Sequence, residues 1–208
     1  MKCHEGRYKA ILLDFDGVLR RWPNSDSEIE KKYGLGSGSI GNVAFQPAVL
    51  DQAIRGLITD EQWRQNIIGI LQETHPALDV RSAITEWSAS YGEIDRDLLA
   101  LLSACKSKAE ILLLTNATSR LGQDLAALNL DNWFSKIINS SEVGCVKPEP
   151  EIFQKAILEC SCQVNEIVYI DDTSENAMAG AEAGILTHHY TRFDNCKVFL
   201  SEIGLPYS

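Results

Sequence analysis

The sequence predicts an α/β protein whose parallel sheet is interrupted, after its first strand, by a mostly helical insert. Three observations carry that prediction. Short apolar runs stop abruptly at acids or small polar residues; helical patterns alternate with those runs from about residue 95 onward; and the stretch from about 20 to 93 holds helical patterns but no strand-like run. Alternating strand and helix means a parallel sheet with helices on both faces, because each crossover returns over one face of the sheet.

The first run, Lys9 to Leu13, stops at Asp14-Phe15-Asp16-Gly17 and reads as a buried strand with a loop at its carboxyl end. Glu110 to Leu114 stops at Thr115-Asn116, Lys136 to Ile138 at Asn139-Ser140-Ser141, and Ile167 to Ile170 at Asp171-Asp172; Ile185 to Tyr190 is the last strand. Ser119 to Leu128 places Leu121, Leu125 and Leu128 on one helical face. Pro148 to Glu159 opens with proline and acids, as a first helical turn prefers, and Ser174 to Ala183 stops at Gly184. Within the insert, helices are expected around Ser27 to Tyr33, Ala48 to Leu57, Glu61 to Gln72 and Val80 to Ser90, with Thr59 and Gln62 at capping-box spacing. Leu35 to Asn42 is rich in Gly and Ser, yet it lacks the preceding strand and the closing Gly-Lys-Ser/Thr of a phosphate loop, so a flexible helix connector is expected. The chain divides into a core of residues 1–19 and 94–208 and a helical cap of residues 20–93.

With 208 residues, 45% of them hydrophobic and 23% charged, the chain is long enough to bury a substantial core. A net charge of −10 argues against nucleic acid or an anionic membrane as partner, since both require clustered Lys and Arg, and leaves small phosphorylated metabolites open. Met1 to Ala10 lacks an apolar signal region, no run approaches a membrane span, and the six cysteines form no secreted-domain framework, so a cytoplasmic setting is expected. Cys160-Ser161-Cys162 has no further Cys or His in register and reads as helix-end cysteines rather than a metal site. The sequence carries no signature of oligomeric state.

Open α/β sheets bind ligands outside the carboxyl ends of their strands. Those ends gather Asp14, Asp16, Thr115, Asn116, Asp171 and Asp172, with Lys147 in a loop before a helix. Two carboxylates about 4 Å apart repel by about 4 kcal/mol at an effective dielectric of 20. Four on one rim therefore call for protonation or a divalent cation, and all-oxygen ligation points to Mg²⁺. A carboxylate is a competent nucleophile for phosphoryl transfer, which asks the protein mainly for positioning and charge neutralisation. In this reading Asp14 attacks, Lys147 neutralises charge, and the Thr115 hydroxyl with the following backbone N–H groups, including that of Asn116, donates to a phosphate oxygen. Asp16 reaches the leaving-group oxygen as acid and then base, and Gly17 turns the chain between them.

Asp14-Phe15-Asp16-Gly17-Val18, the apolar run into Thr115-Asn116, Lys147-Pro148, and Asp171-Asp172 followed by Asn176 resemble, in order and spacing, the four motifs of the haloacid dehalogenase superfamily. The resemblance covers nearly the whole chain. It implies a Rossmann-like core with strand order reversing near Asp14, and a helical cap inserted after the first motif, as in the phosphoglycolate-phosphatase-like branch. By position it implies Asp14 as nucleophile and Asp16 as acid/base whose backbone carbonyl also ligates Mg²⁺. It likewise implies Thr115 as phosphate ligand, Lys147 as the lysine steadying nucleophile and phosphate, and Asp172 as metal ligand. Asp171 stands where relatives often have Gly and is expected to reach the metal through water; Asn176 stands where many have a second acid.

The expected activity is hydrolysis of small phosphomonoesters through an aspartyl-phosphate. The rivals are a phosphosugar mutase of the β-phosphoglucomutase type, a 2-haloacid dehalogenase, and a non-catalytic metabolite-binding protein. Asp16 disfavours the dehalogenase, because halide leaves without a proton and an alkoxide does not. Arg20, Arg21 and Trp22 follow the first strand closely enough either to grip substrate or to cover the hinge. Trp63 and Trp87 fall within amphipathic runs and are expected in the cap core. His188 and His189 alternate on a strand and are expected as surface or rim imidazoles rather than a chelating pair.

Overall fold

The computed structural model describes residues 7–23 and 25–206. Cys3 and the extreme N-terminus, on which part of the sequence reading rests, lie outside those residues. The elements in chain order are β1 (Ala10–Leu13), β2 (Arg20–Arg21), α1 (Asp26–Tyr33), α2 (Ser39–Ala44), α3 (Pro47–Ile54), α4 (Asp60–Thr74), α5 (Val80–Trp87) and β3 (Glu93–Ile94). They continue with α6 (Arg96–Cys105), β4 (Glu110–Thr115), α7 (Leu121–Ala127), β5 (Lys136–Asn139), α8 (Ser140–Val143) and α9 (Pro150–Glu159), then β6 (Ile167–Asp171), α10 (Ser174–Glu182), β7 (Leu186–His189) and α11 (Phe193–Glu202).

Five strands form a sheet in the order β5-β4-β1-β6-β7, every pairing parallel. The chain crosses from β1 to β4 on one side and later to β6 on the other, so strand order reverses at β1 and a crevice opens beyond its carboxyl end. Strand β1 is buried on both faces, which is why it reads as a continuous apolar run. Ile11 and Leu13 enter a cluster with Leu98, Leu102 and Leu200, whereas Ala10 and Leu12 enter one with Ile152, Phe153 and Tyr169 on the opposite face.

Helices α1 to α5 bury a third cluster of their own, with Ile40, Ala53, Ile67, Leu71 and Ile84 at its centre. Thr59 and Gln62 form the expected reciprocal capping box at the start of α4. Two features depart from the expected layout. The glycine-rich stretch expected as a flexible connector contains α2, whose first turn is held from a distance: the buried Glu30 accepts from the Gly38 N–H at 2.7 Å and the Ile40 N–H at 2.9 Å. A carboxylate receiving two N–H groups at a helix start offsets the poor propensity of Ser39-Ile40-Gly41-Asn42. The stretch expected to lack strands is bounded by a short ribbon, because Arg20–Arg21 pairs antiparallel with Glu93–Ile94 where the chain enters and leaves the helical insert.

Candidate active site

The first loop beyond β1 folds back on itself. Gly17 N–H donates to the Arg20 carbonyl at 2.9 Å, and Leu19 and Arg20 N–H both donate to the Phe15 carbonyl. That turn needs Gly17 at φ 81°, in the left-handed region, and a Cβ there would lie 2.0 Å from Asp172 Oδ2. The glycine therefore lets the β1 loop and the β6 loop approach each other, and this approach positions the site.

At its centre the buried Lys147 ammonium bridges two carboxylates, 2.7 Å from Asp14 Oδ1 and 2.7 Å from Asp171 Oδ2. Asp14, Asp171 and Asp172 each place one carboxylate oxygen within 4.8 Å of the others. Thr115 is buried at the end of β4, the strand that pairs with β1 on the side away from β6. Lys147 is held from behind as well: the Asn116 amide accepts from its N–H at 2.8 Å and donates to its carbonyl at 2.9 Å.

The two carboxylates that flank Lys147 titrate in opposite directions. Burial pushes the Asp14 carboxyl well above the ordinary range; Lys147 opposes this and the charge on Asp171 adds to it. Burial also acts on Asp171, but the Lys147 charge and hydrogen bond, with further donation from Tyr169 and the Thr173 N–H, hold it below the ordinary range. Asp171 accepts from Lys147, the Tyr169 hydroxyl, Thr173 N–H and Asn176, whereas Asp14 has only Lys147 and the Phe15 N–H. The carboxylate with more hydrogen-bond donors keeps its charge more readily. Lys147 is raised despite burial, because both acids face it.

These residues fit a hard divalent cation. The donor set is all carboxylate, Asp172 is exposed while its neighbours are buried, and Asp14 has too few donors to hold a charge comfortably by itself. The chemistry open to the arrangement is attack by a carboxylate on an electrophile whose negative charge Lys147 and a cation offset.

The structure brings Asp14, Asp171, Asp172, Lys147 and Asn116 to one place, with Thr115 at the end of the neighbouring strand, but one expectation needs correction. The rim does not carry four crowded carboxylates: the Asp16 side chain stands outside the cluster, gripped by Arg20 Nε at 2.7 Å and Nη2 at 2.8 Å and by Trp22 Nε1 at 2.7 Å. Both hydrogen-bonding ends of the Asn116 side chain hold the Lys147 backbone, which leaves the expected phosphate donor at this position to its backbone N–H. Asn176 meets Asp171 at 3.1 Å, supporting the acid that supports Lys147.

Arg20 turns out to be buried, its remaining nitrogen 2.7 Å from Asp124 Oδ2, and Asp124 also pairs with Arg120 at 2.8 Å. Asp124 was not legible as part of this network, since it reads as an ordinary helical acid. Arg21 pairs with Asp95 at the ribbon, and His189 Nε2 lies 2.9 Å from the Asp172 carbonyl, so that imidazole does sit on the rim. His188 stacks on Phe199.

A parallel α/β sheet whose strand ends collect a lysine-bridged acidic cluster below a helical insert defines a class of enzyme that works from the reversal point of its sheet. The chain belongs to the haloacid dehalogenase-like hydrolase family, whose model matches residues 8–184. It is similar to a HAD family enzyme of Bacteroides thetaiotaomicron solved in complex with magnesium and inorganic phosphate, at 26% identity and a TM-score of 0.71, covering 88% of this chain and 94% of that one. Among curated relatives, the bifunctional epoxide hydrolase 2 of Rattus norvegicus is 25% identical over 200 residues, 86% of this chain and 36% of the relative. The D-ribitol-5-phosphate phosphatase of Bacteroides thetaiotaomicron is 22% identical over 189 residues, 86% of this chain and 90% of the relative. The chain spans about a third of the length of the epoxide hydrolases it matches. Among the described residues no helix is long and apolar enough to cross a membrane.

Proposed function

We propose that this chain hydrolyses small phosphomonoesters by transferring the phosphoryl group to Asp14 and then to water. The observation that carries the reading is the Lys147 bridge, 2.7 Å from Asp14 and 2.7 Å from Asp171, beside an exposed third acid, Asp172. Bound at Asp14, Asp172 and the Asp16 carbonyl, Mg²⁺ supplies charge neutralisation between nucleophile and phosphate. Asp14 Oδ attacks phosphorus, Lys147 holds Asp14 and a phosphate oxygen, and Thr115 donates to another. Asp171, with four partners already, acts by fixing Lys147. Asp16 lines the neighbouring cavity. Rotating out of the Arg20 clamp takes it to the leaving-group oxygen, where it gives a proton and later removes one from the attacking water. The phosphatase named among the relatives, and the magnesium and phosphate of the Bacteroides structure, support this reading.

In the same reading residues 1–19 and 94–208 form the catalytic core and 20–93 the cap, which excludes bulk water during the reaction. The five described cysteines are all free, which agrees with a reducing, cytoplasmic setting. Phosphate release from a panel of phosphorylated metabolites, measured with Mg²⁺ and with a chelator, tests the proposal. Mg²⁺-dependent release that Asp14→Asn abolishes is expected. Release that survives Asp14→Asn, or halide release from 2-haloacids in its place, overturns it.

A further inference from the structure

Between the core loops and the helical insert lies a cavity of about 670 Å³, within the range that holds a drug-sized ligand. Asp16 and Asn116 line its core end, so it opens beside the place where a phosphate would sit. Its other wall is aromatic: Trp22, Phe45, Trp63 and Trp87 all line it. Trp63 and Trp87 belong to the cap core as the sequence implies, but each also presents surface to the cavity. Trp87 is their common neighbour, with ring centroids 5.9 Å from Trp63 and 6.3 Å from Phe45. Trp22 and Phe45 are 48% and 58% exposed, and both line the same cavity, so the exposed apolar surface is clustered there.

Most of the charged and indole groups of this wall already have partners. Each indole N–H has a protein acceptor: Trp22 donates to Asp16, Trp63 to the Ala44 carbonyl and Trp87 to Asp26. The indoles therefore offer the cavity faces and edges but no donors. Every arginine on the wall is ion-paired: Arg20 with Asp16 and Asp124, Arg64 with Asp60, Arg120 with Asp124. Three lining arginines face four lining aspartates, so the wall carries no surplus positive charge for a second anion. Of the polar atoms on these charged side chains, Asp60 Oδ2, Arg64 Nε and Asp124 Oδ1 are buried without a hydrogen bond, and two of the three, Asp60 Oδ2 and Asp124 Oδ1, are ion-paired with Arg64 and Arg120.

We infer that the leaving group of the substrate is a flat, uncharged aromatic group, stacked among Trp22, Phe45 and Trp87, and not a polyol or a second phosphate. A hydroxyl-rich chain in this cavity would lose water and find few partners, whereas a ring loses little hydration and gains aromatic contacts. The inference rests on the phosphohydrolase reading for its choice of leaving group, and it departs from the polyol phosphate in the name of one relative.

The test compares two esters of primary alcohols, 2-phenylethyl phosphate and D-ribitol 5-phosphate, on the full chain with Mg²⁺. The aryl ester is expected to show a KM lower by roughly tenfold or more, as burial of one ring implies. Phe45→Ala, at a 58% exposed position, should cut that preference severalfold by raising the aryl KM while circular dichroism stays unchanged. Equal KM values, a preference for the polyol ester, or a preference that Phe45→Ala leaves untouched would overturn the inference. If neither ester releases phosphate, the hydrolase reading is decided by the metabolite panel, and the cavity is judged by quenching of tryptophan fluorescence on titration with 2-phenylethylphosphonate. Saturable quenching weakened by Phe45→Ala supports an aromatic site; no quenching rejects it.

Discussion

The guanidinium of Arg20 grips both carboxylate oxygens of Asp16, at 2.7 Å and 2.8 Å, while its third nitrogen reaches Asp124 at 2.7 Å. The planar fork is what makes this possible, and a lysine ammonium cannot reproduce it. Arg20→Ala would leave the buried Asp124 with Arg120 alone and Asp16 with the Trp22 indole N–H alone. Loss of about 3 kcal/mol is expected, since removing one partner of a buried pair strands the other. Arg20→Lys should recover less than half of it. Urea unfolding of the three proteins, without metal, gives both numbers.

Lys147 stabilises two carboxylates that would otherwise repel in a dry site. Lys147→Met is expected to cost about 3–5 kcal/mol at pH 8, without metal. The pH dependence has a definite sign. Burial already raises the Asp14 carboxyl and Lys147 restrains that rise, so the variant raises it further. A carboxyl raised in the folded state favours folding below its unfolded value, and that contribution is lost as pH rises through the folded value. The deficit of Lys147→Met should therefore shrink between pH 8 and pH 5, and Mg²⁺ should shrink it at pH 8. Urea midpoints at the two pH values, with chelator or Mg²⁺, check both statements. A deficit independent of pH and metal would mean that Asp14 and Asp171 are not electrostatically linked through this lysine.

Gly17 joins the two loops that carry the acids. With φ at 81° and a would-be Cβ 2.0 Å from Asp172 Oδ2, Gly17→Ala must swing the Asp172 carboxylate aside. Because that carboxylate is the movable end of a side chain, the fold should lose only the left-handed backbone cost, about 1–2 kcal/mol. Mg²⁺ affinity, measured by calorimetry, should fall at least about tenfold, as displacement of one carboxylate ligand implies. Unchanged affinity would remove Asp172 from the ligand set.

The site was legible where chemistry and position coincide in a short stretch of chain. Asp14, Thr115 and Asp171 end buried apolar runs, so their types and their place at the sheet edge are both local information. Thr59 and Gln62 were legible for the same reason, as their capping box closes within four residues. What escaped depends on partners far along the chain. The sequence leaves Arg20 either gripping substrate or covering the hinge, yet it is buried and held by Asp124, 104 residues on, with its guanidinium 4.3 Å and 4.4 Å from the Phe15 and Trp22 rings. Helix α2 was hidden by its own glycines, and only Glu30, from the preceding helix, accounts for its start. The double service of Trp63 and Trp87 as core and cavity wall has no local signal, because periodicity reports that a face is buried but not what else touches its edge.

The contact between the proposed cap and the proposed core makes the last prediction. Gly56, at φ 72°, follows α3 where the cap meets the backbone of Ser141, and a Cβ there would lie 1.9 Å from the Ser141 carbonyl oxygen. Beside it Arg55 forks onto Glu149 at 2.6 Å and 3.1 Å, the residue that precedes α9. Gly144 is the natural control: its φ is 77°, but a Cβ there meets nothing within 4 Å. Ala at either position incurs the same left-handed cost, about 1–2 kcal/mol. Any further effect of Gly56→Ala reports backbone contact between cap and core. Since the clash is with backbone and not with a side-chain tip, the cap must lift, taking Arg55 from Glu149. Gly56→Ala should thus lower kcat/KM by tenfold or more and speed proteolysis at the β2–β3 ribbon, whereas Gly144→Ala should lose stability with no faster cleavage there. Limited trypsin digestion followed by mass spectrometry separates the two, and equal cleavage rates would show that the cap does not rest on Gly56.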